Sequence, residues 1–109
     1  MKVAVATDGN MVSQHFGHCS AYTIAEVEEG RVISNTLIDS PGHEPGFLPV
    51  FLAEKGVNCI IAGGMGQRAQ GLFAEKGIIV FTGASGLIDQ VLDDFVHDRL
   101  ATGANVCDH

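Results

Sequence analysis

Five consecutive residues near the start of the chain, His15-Phe16-Gly17-His18-Cys19, place two imidazoles and a thiol around a glycine. Soft and borderline metals take these donors: thiolate favours iron–sulfur, copper and zinc sites, and imidazole adds to each. The spacing fits no strict zinc pattern. On residue types alone the segment therefore reads in two ways. Its donors converge on one metal, or Phe16 plugs a core while the histidines stay solvated. Two other segments carry soft donors, His43 between the prolines of Pro41-Gly42-His43-Glu44-Pro45 and the terminal Cys107-Asp108-His109. The candidate ligand set is thus His15, His18, Cys19, His43, Cys107 and His109. Cys59, inside the apolar run Val57-Asn58-Cys59-Ile60-Ile61, reads as a packing thiol. His97, among Asp93, Asp94 and Asp98, reads as a surface residue.

A second constellation is Gly63-Gly64-Met65-Gly66-Gln67-Arg68-Ala69. From Gly64 it has the spacing G-x-G-x-x-A, which in a dinucleotide site follows a strand and opens a helix. The ribose-binding acid of such a site belongs about 20 residues further on, where this chain has Ala84-Ser85. What remains is more general. Backbone N–H groups at a helix start attract anions, and Arg68 in the first turn adds a cation. Gly63, Gly64, Met65, Gly66 and Arg68 are accordingly the candidate cradle for an anionic cofactor. Without a ligand, the same glycines read as a tight strand-to-helix turn.

Catalytic sets are hard to assemble. Ser13, Ser20 and Ser85 lie in no nucleophile elbow. Cys19 beside two histidines lacks an identifiable orienting partner or oxyanion motif. Asp8, ending the first apolar run, is a possible first carboxylate of a metal-dependent nuclease, but such sites need several clustered acids. The chain is read as a non-catalytic binder.

The elements that must position these residues follow from the apolar pattern. Val3–Ala6 is a short β-branched run ending at Asp8-Gly9, a buried strand followed by a loop over residues 10–20. Ala21–Glu28 and Arg31–Asp39 read as antiparallel strands joined at Glu29-Gly30. A helix near Pro49 runs to Lys55 and stops at Gly56. Then strand and helix alternate: Val57–Ala62, a helix through Ala69, Leu72 and Phe73 to Gly77, Ile78–Phe81, and a last helix with Ser85 as cap and Ile88, Val91, Leu92 and Phe95 as its buried stripe. Five strands and three helices in the order β-β-β-α-β-α-β-α need one mixed sheet flanked by helices. Residues 1–103 are read as one domain and 104–109 as a flexible Cys/His tail.

Bulk composition sets the limits. The chain has 109 residues, 46% apolar, which suits a single core. Thirteen acids against six bases give a net charge of -7, so the basic stripe that a nucleic-acid or anionic-membrane surface demands is missing. No apolar run approaches the ~18 residues of a membrane span. The three cysteines are an odd number without a secretory leader, favouring reduced thiols and a cytoplasmic location.

Taken in order, Asp8-Gly9, His15-Phe16-Gly17-His18-Cys19, Gly42-His43-Glu44-Pro45-Gly46 and Ala62-Gly63-Gly64-Met65-Gly66-Gln67-Arg68-Ala69 resemble the dinitrogenase iron–molybdenum cofactor biosynthesis family, which includes NifX, NafY and the C-terminal domain of NifB. The likeness runs from Met1 to about Leu100. It implies a three-layer α/β/α ribonuclease H-like fold with a five-stranded mixed sheet. It also implies carriage of a metal–sulfur cluster: the iron–molybdenum cofactor, an iron–sulfur precursor, or a molybdenum or copper sulfide. His15, His18, Cys19 and the Gly63–Gly66 loop would border the site. Expected partners are cluster-assembly or cluster-accepting proteins, with the chain itself a monomer or weak homodimer.

Overall fold

The computed structural model describes residues 1–16, 19–40 and 46–97. His18, His43, Cys107, His109 and the 104–109 tail lie outside them.

The chain starts at the centre of its sheet. Strand β1 (Lys2–Asp8) pairs antiparallel with β3 (Ala21–Glu28) on one side and parallel with β5 (Cys59–Ile61) on the other. Strand β4 (Arg31–Asp39) extends the antiparallel side, and β6 (Ile79–Phe81) the parallel side, giving the order β4-β3-β1-β5-β6. The β3–β4 hairpin closes on Glu29 and Gly30, both at positive φ (51° and 74°), as a two-residue turn of primed type requires. The mixed α/β architecture anticipated from the alternating apolar runs is therefore present.

Two details differ from the sequence reading. Residues 10–20 are not loop throughout: Met11–Val12 form a short strand β2, folded back on β1 with Thr7 opposite Val12 and Asp8 opposite Met11. Among the described residues the sheet thus has six strands, not five. A two-residue strand has no period to detect; only the left-handed turn at Gly9 (φ 63°) marks the reversal. Nor does Ser85 cap the last helix. Helix α3 (Ile88–Val96) begins later, with Leu87 at its N-cap and no side-chain cap bond. Pairing to β2 competes for this stretch: Val12 N–H donates to Gly86 O (2.9 Å) and Ile88 N–H to Asn10 O (2.9 Å).

Helices α1 (Phe47–Glu54) and α2 (Gln67–Glu75) return to the sheet through the same device. After α1, Gly56 (φ 81°) donates to Ala53 O and Val57 to Leu52 O; after α2, Gly77 (φ 73°) donates to Ala74 O and Ile78 to Phe73 O. These are glycine-terminated helix ends in which the residue after the glycine packs on the last turn. Val57 and Ile78, each nearly buried, meet the fully buried Leu52 and Phe73 in one cluster.

Side-chain alternation along β1 divides the interior. Ala4 and Ala6 face a cluster with Tyr22, Leu48, Leu52, Met65 and Phe73, the side of α1 and α2. Val3 and Val5 face Ala25, Cys59, Ile88, Val91 and Leu92, the side of α3. Among the described residues no helix is long and apolar enough to cross a membrane.

Candidate functional site

The parallel strands β1, β5 and β6 all end at one edge of the sheet, and the segments leaving them are joined there by backbone hydrogen bonds. Ligands of open α/β sheets bind at such carboxyl ends. Ser13 N–H donates to Ala6 O (2.7 Å), continuing the β1 hairpin. Gly63 N–H donates to Ser13 O (2.8 Å), and Phe16 N–H to Gly64 O (2.9 Å), so the opening loop lies directly on the glycine turn after β5. Gly83 N–H donates to Gly63 O (2.8 Å), adding the segment after β6.

That contact explains the first glycine. A Cβ on Gly63 would sit 2.7 Å from Gln14 Cα and 2.9 Å from Ser13 O, backbone atoms that cannot move aside. Gly63 is thus required by the approach of two chain segments, and both its N–H and its C=O are already engaged. Met65 is fully buried in the core between β1 and the helices of its side. Gly64 is buried and Gly66 half-buried.

Gly66 is the N-cap of α2 in extended conformation, with no side-chain cap and no acid in the first turn. The Gln70 amide reaches back to donate to Met65 O (2.8 Å). Arg68 is exposed in that first turn, and among the described residues it forms no ion pair. A cation near the positive end of a helix dipole is unfavourable by itself. An anion placed there would be attracted by both.

The opening loop is anchored by Phe16. Its ring lies 5.3 Å edge-on from Phe73 and 5.9 Å from Tyr22, within the favourable range for aromatic pairs. Flanking it, His15 is exposed and Cys19 is 2% exposed, packed in the same cluster as Phe73. Ser13 Oγ holds the turn by donating to His15 O (3.2 Å) and accepting from His15 N–H (3.3 Å). The structure therefore brings His15, Cys19 and the Gly63–Gly66 turn into one neighbourhood, with the histidine outward and the thiol inward. Among the described residues no group of three or more His, Cys, Asp or Glu side chains is arranged to hold a metal ion.

Sequence reasoning missed Ser13, Gln14 and Gln70, which shape this joint. Their only signal was a serine two residues before a histidine, which suits a side-chain-closed turn. Away from the joint, Cys59 packs on the α3 side, and burial pushes its thiol above the ordinary value of 9.0, partly offset by the N-terminal ammonium. It is a protonated core residue. His97 is exposed at the end of α3, its Nδ1 2.8 Å from Asp93 O.

A mixed sheet with glycine-rich turns at its carboxyl edge defines the class, and comparison with known proteins gives the family. The chain belongs to the dinitrogenase iron–molybdenum cofactor family, whose model matches residues 1–98. It is similar to the uncharacterized protein MJ0580 of Methanocaldococcus jannaschii, 32% identical in an alignment 105 residues long that covers 92% of this chain and 89% of the relative. Among solved structures, that of PH0822 superposes with a TM-score of 0.89 at 30% identity over 94% of both chains. The apo form of the orange protein from Desulfovibrio gigas shares the fold, with a TM-score of 0.77 at 20% identity, covering 95% of this chain and 93% of that one.

Proposed function

We propose that this protein binds and carries an anionic metal–sulfur cluster without transforming it. The cargo is the iron–molybdenum cofactor, an iron–sulfur precursor or a related molybdenum or copper sulfide, delivered between cytoplasmic assembly and acceptor proteins. Membership of the iron–molybdenum cofactor family supports the cargo class. The observation that carries the site is the pair of bonds Gly63 N–H to Ser13 O and Phe16 N–H to Gly64 O. They set the histidine-bearing loop against the uncapped start of α2.

In this reading the α2 N-terminus and Arg68 supply the electrostatic attraction, while His15 supplies an exposed donor. His18, His43, Cys107 and His109 are further candidate donors. Cys19 would have to turn out of the core to ligate. The division of helices between the two sheet faces supports the finer assignment as a ribonuclease H-like layered fold.

Anaerobic reconstitution with iron, molybdate and sulfide tests the proposal. The protein should acquire charge-transfer absorption and bound metal, both reduced in His15→Ala and in Arg68→Ala. Equal metal content in wild type and both variants would overturn this site. Cys19→Ser should lower metal content only if the thiol leaves its pocket.

The burial of Cys19 favours one alternative, a cofactor-free interaction module using the same face. It predicts a partner pull-down that chelators do not change, and metal-free protein after anaerobic reconstitution.

A further inference from the structure

Strand β4 ends the sheet, and among the described residues its outer edge pairs with no other strand. Such an edge presents a row of unpaired N–H and C=O groups, which proteins ordinarily shield with lysine, proline, short length or a covering segment. A bulge shields the first part of β4. The register to β3 shifts between Glu26 and Val27 and leaves Ile33 without a partner, which deflects an approaching strand. Residues 34–39 lie beyond the bulge, pair with β3 in unbroken register, and contain neither lysine nor proline.

Pairing fixes the faces of this run. Asn35, Leu37 and Asp39 stand opposite Ala25, Thr23 and Ala21, and so share the α3 side with Ala25. Ser34, Thr36 and Ile38 point the other way, where Ile38 packs against the cluster of α1 and α2. On the α3 side the cover is incomplete. A hollow of about 270 Å³ is lined there by Thr23, Asn35, Leu37, Leu87, Ile88 and Asp89. Leu37 is 61% and Leu87 49% exposed. Among the described residues neither Asp39 nor Asp89 forms an ion pair. The start of α3 offsets part of the Asp89 charge, which leaves Asp39 the stronger attraction for a cation. Arg31 enters only the neighbouring hollow, on the far side of the bulge.

We propose that residues 34–39 take up an extended segment of another protein as an added strand, one with basic residues on either side of an apolar one at alternate positions. An added strand lies about 4.7–4.9 Å from β4, and every second side chain falls on the α3 side. There the apolar position meets Leu37, one basic position meets Asp39, and the other, opposite Asn35, reaches toward Asp89. Main-chain bonds supply the affinity and these three positions the specificity. This chain cannot supply the pattern basic-x-apolar-x-basic. Of its six bases, Lys2, Arg31, Lys55, Arg68, Lys76 and Arg99, no two lie four residues apart. Nor does a second copy fit through the same run, because residues 34–39 bring no cation to meet Asp39. The net charge of -7 also draws a basic partner from a distance.

The test titrates the metal-free full chain, labelled with nitrogen-15, with the peptide acetyl-Lys-Thr-Val-Thr-Lys-amide while the amide shifts are followed. Its outcome is thereby independent of cluster binding. Shifts should move at residues 34–39 and 87–89, with a dissociation constant of about 1 mM or below. The peptide with glutamate in place of both lysines should bind at least about tenfold more weakly. Asp39→Lys should remove that preference and strengthen binding of the glutamate peptide, a gain that a damaged fold cannot mimic. Raising the salt from about 0.05 M to about 0.5 M should weaken the lysine peptide several-fold. No movement at residues 34–39 with about 10 mM peptide, or equal binding of the two peptides, would overturn the proposal. Shifts at 34–39 that follow protein concentration without peptide would assign the edge to a second copy and overturn it too. Overhauser contacts from 34–39 to residues 98–109 would assign it to the chain's own end, with the same result.

Discussion

Helices α2 and α3 start at the same edge of the sheet, each after a parallel strand, and each without a side-chain cap. Both starts are tied to the segment between β1 and β3: α2 through Ser13 and Phe16, α3 through Asn10 and Val12. They differ in what the first turn offers. The α3 start has Asp89, a carboxylate that matches the helix dipole. The α2 start has Arg68 and no acid, and its turn is so closely covered by the opening loop that only glycine fits at position 63. One start is electrostatically complete within the chain. The other is rigidly held and left positive, the combination that suits an anionic guest.

The largest test of this contrast is a methyl group. Gly63→Ala should cost ~3 kcal/mol or more in urea unfolding, because the clash is with backbone of another segment. At the α3 start, Gly86→Ala meets open space and only a φ of 102°. It should cost ~1–2 kcal/mol, as backbone strain alone predicts. Equal losses would mean that the two starts are built alike.

The anchoring side chains give an intermediate effect. Phe16→Ala removes two aromatic contacts from beneath the opening loop and should destabilise by ~2 kcal/mol. Met11→Ala, on the arm reaching α3, removes a side chain 43% exposed. It should stay within ~0.5 kcal/mol of wild type by the same unfolding measurement.

The smallest effect, and the most specific, lies in the signs of two charge changes. Arg68→Glu should stabilise the cluster-free protein by ~0.3–1 kcal/mol, since a carboxylate then meets the dipole. Asp89→Asn should destabilise it by a similar ~0.3–1 kcal/mol. Thermal melts at low ionic strength report both. Arg68→Glu should at the same time lose reconstituted metal, whereas Asp89→Asn should retain it. Two shifts of the same sign would remove the electrostatic distinction.

The legible parts of this architecture were those governed by local rules. Continuous apolar runs marked β1, β5 and β6, the Glu29-Gly30 turn marked the hairpin, and Gly56 and Gly77 marked the helix ends because a left-handed residue is needed there. Long-range backbone pairing defeated the rest. Ser85 is a good cap by type, but the bond from Ile88 to Asn10 draws the chain past it. The restriction at Gly63 arises from Gln14, some fifty residues earlier, and no spacing rule could reveal it. At the candidate site the sequence identified the neighbourhood and the donor types. It did not foretell that His15 points to water while Cys19 points to the core, because a loop has no period from which to read facing.

The bonds joining the three exit segments are made almost wholly by main-chain atoms. Their geometry is therefore largely indifferent to which side chains residues 10–16 carry, with Phe16 and Ser13 as the exceptions that lock the loop down. Such a frame lets the outward chemistry drift while the scaffold stays put. Over generations, cargo preference can be retuned by exchanging exposed residues one at a time, with no need to reinvent the fold that presents them.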